Sequence, residues 1–223
     1  MTSEGELSRD ELEWVSRRTL DFEEYVLRRA WGVFYATWAA AYLAYVGLPY
    51  LLSGLPNAFA WLAYALGYGV VSLSVGMLTG RIFFTAGRTL RLRRSLEPES
   101  WRRGFGLRFI AVFVIFFASA GLSVYFFGAR GISLYFVVLL VYDVYLFHLL
   151  KSSFGKLSID GLVATISYGA GALASSAAAA LGLWDYVTTA WVVTAACWLF
   201  SSVYALYHAP EVYAGGSLMV ERD

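Results

Sequence analysis

Long uncharged runs separated by short polar breaks dominate this chain. Six stretches, at 30–52, 58–80, 105–127, 131–150, 159–181 and 185–207, consist mostly of apolar side chains. Each has the roughly 20 residues that a helix rising about 1.5 Å per residue needs to cross a hydrocarbon layer about 30 Å thick. None alternates strictly as a membrane-barrel strand does, and within lipid every backbone amide must be paired, so helices are the remaining solution. The pattern predicts an all-α fold, a polytopic integral membrane bundle of six transmembrane helices filling residues 30–208 as one domain.

Ahead of the first apolar run, residues 1–29 carry eight acidic and five basic side chains, unlike a cleavable secretory leader. Ser8 and Glu11 have capping-box spacing, which satisfies free amides at a helix start. Leu12, Val15, Phe22 and Val26 recur at helical spacing, and Glu13 with Arg17 and Glu24 with Arg28 stand as i, i+4 ion pairs. An amphipathic cytoplasmic helix is expected over 1–29, lying as an elbow on the membrane surface. The competing form is a rod running straight into the first span, since neither Gly nor Pro intervenes before Gly32. Residues 209–223 form a short tail.

The distribution of charge orients the segments. Eight of the 17 basic residues lie between Arg81 and Arg108, five more precede the first span, and Lys151, Lys156 and Arg222 follow even-numbered spans. The opposite connections, Ser53 to Pro56, Gly128 to Gly131 and Gly182 to Trp184, are tight turns holding only Arg130. Basic residues accumulate in short cytoplasmic loops, so the reading is a multi-pass protein of the cell membrane with both termini and the basic loop 81–104 cytoplasmic. The formal net charge is only +1, which gives no support to nucleic-acid binding.

Helix association in lipid relies on small residues that let backbones approach. Segment two carries Ala65, Gly69, Ser72, Gly76 and Gly80 along one stripe, and segment five is rich in Gly, Ala and Ser around Gly169, Gly171, Ser175 and Ser176. Gly69, Gly76, Gly80, Gly169 and Gly171 are thus expected at helix contacts or a homodimer interface. Rings near the segment ends, including Trp31, Tyr50, Trp101, Tyr125, Tyr135, Trp184, Tyr186, Tyr204 and Tyr207, read as headgroup anchors. The chain has no Gln, one Asn and 15 Arg against two Lys, a balance that fits either a protein from a hot environment or GC-rich codon usage.

Candidate chemistry is sparse. Asp143 lies about 18 Å into its helix, where a carboxylate is costly unless paired, protonated or hydrated. With Tyr142 and His148 on the same helix, it is the intramembrane polar candidate: a proton or cation relay, a substrate contact, or a hydrogen-bonded packing residue. Asp160 and Asp185 read as acids placed at helix starts, favoured by the dipole. Arg88, Arg91, Arg93, Arg94, Arg102 and Arg103 form a patch for lipid headgroups or a docking partner. The single Cys197 excludes an intramolecular disulfide, two His provide no metal-ligand set, and no hydrolase, phosphate-loop or paired-carboxylate motif occurs. Neither an enzyme, a metal site nor a cofactor is expected.

Six spans, a cytoplasmic elbow helix and a large basic loop after the second span resemble, in layout, an ABC exporter permease half without its own ATPase. That layout implies a transport-associated subunit receiving force from a cytoplasmic ATPase. The alternatives are a structural subunit lending helices to other membrane subunits and a proton- or ion-coupled carrier using Asp143.

Overall fold

The computed structural model describes residues 9–93, 129–154 and 158–218, with single helical positions at 115, 122 and 126. Among these the chain is all-helical, without a strand. Five helices run α1 Arg9–Leu52, α2 Asn57–Arg93, α3 Ala129–Phe154, α4 Ile159–Ala180 and α5 Trp184–Leu218. They correspond to five of the six apolar segments. The third, 105–127, lies almost wholly outside the described residues, as do Ser8 of the expected cap and the loop residues 94–104.

Three helical stretches, Leu62–Leu90, Ile159–Ala180 and Trp184–Glu211, are long and apolar enough to cross a membrane, and Ser133–His148 is a shorter apolar one. The expected first span is absent from that set because its many Trp and Tyr residues lower its mean hydropathy. Those rings are turned inward, as described below.

The expected elbow is not a separate element, because α1 is one unbroken helix of 44 residues, about 66 Å long. No helix breaker stands between its polar and apolar halves, and Arg28 bridges to Glu24 at 2.8 Å across one turn, reinforcing the junction. A second boundary also differs. Ala129, Arg130 and Gly131, expected in a turn, already belong to α3.

The remaining turns are tight. Leu55 N–H bonds Leu52 O at 3.1 Å between α1 and α2. At the end of α4 the Leu183 amide reaches back to Ala178 O (2.8 Å) and Gly182 to Ala179 O (3.1 Å). This is a Schellman cap whose left-handed position requires φ of +74° and is filled by Gly182. It reverses the chain in three residues, so α4 and α5 form an antiparallel pair.

In space α1 packs on α2 and α5, α5 on α4, and α4 on α3. An aromatic seam occupies the centre. α1 supplies Trp31, Phe34, Tyr35, Trp38 and Tyr42, all on one helical stripe, and these meet Phe83 of α2, Tyr168 of α4, and Trp191 and Trp198 of α5. Trp198 and Tyr35 are fully buried. Their rings meet edge to face at 5.6 Å and 87°, and Tyr42 approaches Trp198 at 5.3 Å and 82°, the geometry the ring quadrupole favours. Trp31, expected at the headgroups, is therefore a core residue, and Tyr135 also packs on the core. Tyr50, Trp184, Tyr186 and Tyr207 stay exposed.

Two indole N–H groups are satisfied within the seam, while Trp31 Nε1 is buried with no hydrogen-bond partner among the described residues. Trp198 donates to Ala164 O at 3.0 Å and Trp38 to Thr79 Oγ1 at 3.1 Å. Beside them Tyr45 and Ser72 hydroxyls bond at 2.7 Å. The face of α2 that meets α1 is thus Ser72, Val75, Thr79 and Phe83. The glycine stripe is offset from it: Gly69 and Gly80 are exposed, with no described atom within 4 Å of where a Cβ would stand.

Trp198→Ala should destabilise the bundle by about 3–5 kcal/mol, as expected for removing a large core ring. Trp198→Phe should cost about 1 kcal/mol through the lost N–H bond. Reversible unfolding in detergent checks both, with the exposed Val203→Ala as a control expected to leave stability nearly unchanged.

Candidate functional site

Asp143 sits midway along α3 and is turned toward α4. Its Oδ2 lies 2.7 Å from where a Cβ on Gly169 would be, so the carboxylate rests on bare backbone in a notch that any other residue would fill. Oδ1 is buried and has no hydrogen-bond partner among the described residues. Tyr142 precedes it and packs into the seam, 6.0 Å from Tyr168 and 6.5 Å from Trp38 between ring centroids. The third residue of the sequence set is elsewhere: His148 is exposed, five residues on and on another face of the helix. The structure therefore brings Asp143 and Tyr142 to the interior and leaves His148 out.

Small residues of α4 mediate its other contacts. A Cβ on Gly171 would collide with Thr194 of α5, whose hydroxyl bonds Ala190 O at 2.9 Å and Ser167 O at 3.2 Å. Ser133 of α3 donates to Ser176 O at 2.8 Å. Gly169 and Gly171 therefore face two different neighbours, α3 and α5.

Of the basic patch, Arg88 is exposed near the end of α2. Arg91 and Arg93 belong to the same helix, while Arg94, Arg102 and Arg103 lie outside the described residues. Among the described residues no group of three His, Cys, Asp or Glu could hold a metal ion.

Asp160 is the residue that sequence reasoning undervalued. Read as a helix-start acid, it does occupy the first turn of α4, but it is completely buried, and neither carboxylate oxygen has a hydrogen-bond partner among the described residues. The N-cap itself is Ser158, in extended conformation and without a side-chain capping bond. Tyr35 of α1 stands within electrostatic range of the Asp160 carboxylate, and its own hydroxyl has no hydrogen-bond partner among the described residues. The available signal was position: Asp160 follows the cap by two residues and is flanked by Ile159 and Gly161, so it does not stand at the capping position.

No family model matches the chain, and no curated protein or solved structure does so either. The site is interpreted from its own geometry.

The Asp143 notch is open to test by a double-mutant cycle. Gly169→Ala should destabilise the bundle by about 1–3 kcal/mol, the usual cost of overpacking. Much of that loss should disappear in an Asp143→Ser background, because residues in contact couple. Additive losses in detergent unfolding would show that the two positions do not share the notch.

Proposed function

We propose that this chain is a multi-pass subunit of a larger membrane assembly: it contributes a rigid helical bundle and docks a partner at its cytoplasmic end. In this reading it crosses the cell membrane six times, with both termini and the basic connector on the cytoplasmic side. The observation that carries the proposal is the filled centre. A solute path needs hydrated surface, whereas the middle of this bundle is a continuous contact of Trp, Tyr and Phe rings, with Tyr35 and Trp198 wholly excluded from solvent.

Helix length supports the docking end. The 22 residues of α4 measure about 33 Å, close to the hydrocarbon thickness. Gly32 lies against Ser202 and Trp31 against Phe83, so these levels match the start of α4. Beyond them α1 extends back to Arg9, α2 on to Arg93 and α5 on to Leu218, forming a three-helix projection on the side of the amino terminus. It bears the partly buried Glu24–Arg28 pair and the exposed Arg29, Arg81 and Arg88. A cytoplasmic ATPase is one partner such a projection fits, as in the transport-associated reading. The continuous α1 removes the elbow on which the likeness to a permease half partly rested, so the structural role leads.

When extracted from native membranes in mild detergent, the chain should migrate on native gels with partner subunits. Arg88→Glu/Arg91→Glu/Arg93→Glu should strip a cytoplasmic partner while leaving membrane insertion intact. Migration as a lone chain, or full partner retention by the triple variant, defeats the proposal.

One observation favours a second reading, a proton- or ion-coupled carrier: the unbonded Asp143 Oδ1 facing the interior, since acids within spans are often functional. Purified protein in liposomes separates the two. The structural role expects no ion flux above empty liposomes and normal assembly of Asp143→Asn, whereas flux abolished by Asp143→Asn would establish the carrier.

A further inference from the structure

A polar cluster stands around Asp160 at the start of α4, apart from Asp143 and independent of the assembly role. The register between helices brings it together. Trp198 Nε1 bonds Ala164 O, which sets 198 opposite 164 in an antiparallel pair. One turn further, Ser201 therefore stands level with Asp160. On α1, Tyr35 touches Trp198 and lies within electrostatic range of Asp160. Ser158 is two residues from Asp160 on the same chain segment.

These oxygens share two properties. Asp160, Ser201 and Tyr35 are each completely buried. Both Asp160 oxygens, Ser201 Oγ, Tyr35 Oη and Ser158 Oγ have no hydrogen-bond partner among the described residues. Buried hydroxyls and carboxylates are nearly always bonded, and hydroxyls able to rotate toward a carboxylate normally do so. Three unbonded hydroxyls that the helix register and the electrostatic reach of Tyr35 bring to the level of one unbonded carboxylate point to a ligand that all of them share.

Charge and hardness identify that ligand. Asp160 lies in the first turn of α4, at the positive end of the helix dipole, where negative charge is stabilised. An ionised carboxylate away from water must be balanced by a cation, and among the described residues no basic side chain pairs with it. One carboxylate supplies one negative charge, which suits a monovalent ion. An all-oxygen donor set suits a hard ion rather than a transition metal. The cluster lies at the first turn of α4, near the end of the helix rather than midway along it, within reach of salt at that end. We propose that Asp160, Ser201, Tyr35 and Ser158 form a binding site for a monovalent alkali cation of the sodium class, which ties α4 to α1 and α5.

The test uses the full chain purified into lipid nanodiscs at fixed ionic strength, comparing NaCl, KCl and choline chloride. The expected result is a melting temperature that rises saturably with sodium and not with choline, together with binding of about one radiolabelled sodium ion per chain. Asp160→Asn should abolish both responses, and Ser201→Ala should raise the apparent sodium dissociation constant at least about tenfold. Asp143→Asn should leave the sodium response unchanged. If Asp160→Asn does not fold, Ser201→Ala and Tyr35→Phe carry the test. Equal stability in all three salts, a sodium response that survives these substitutions, or stability that follows pH and ignores sodium, the behaviour of a carboxyl holding a proton, would each overturn the site.

Discussion

The contact of α1 with α5 through interlocked aromatic rings is the constraint on which the remaining structure depends. In lipid, apolar side chains gain little by leaving their surroundings, so helices associate through close packing and satisfied polar groups. Rings on a stripe of α1 meet the seam of α5 over several turns, and the indoles of Trp38 and Trp198 find acceptors there. Because α1 and α5 sit in the middle of the row, α2 on one side and α4 with α3 on the other are placed by their fit to this pair.

The helices were legible in the sequence because each needs only a long apolar run, and the tight reversals because Gly and Pro mark them. Direction of facing was far less legible. Trp31 was given a headgroup role by its place near a segment end, yet Phe83 and Tyr35, remote or on the next turn, draw it inward. On α2 the small residues suggested a packing face, and α1 meets that stripe at Ser72 while its large rings reach Val75, Thr79 and Phe83 beside it.

The two interior acids show the same division. The depth of Asp143 follows from counting along α3, whereas its seat on Gly169 depends on helix register that no single segment encodes. Asp160 looked ordinary because the first turn of a helix is where an acid is most often found. Its complete burial depends on helices packed against α4 from elsewhere in the chain. Residues whose environment is assembled from distant segments are those a linear reading ranks lowest.

The pairing of α1 with α5 also sets the order in which the molecule can be made. α1 leaves the ribosome before α5, so the ring-lined face of the first helix has no final mate until the hairpin of α4 and α5 has emerged. In the interval α2 can cover part of that face through Thr79 and Phe83, while the surface meant for Trp191 and Trp198 waits. Such long-range closure is slow and exposes the nascent chain to wrong partners. Biogenesis of this bundle therefore turns on the hairpin of α4 and α5, and a truncated chain ending before Trp184 would present the aromatic face of α1 without its α5 partner.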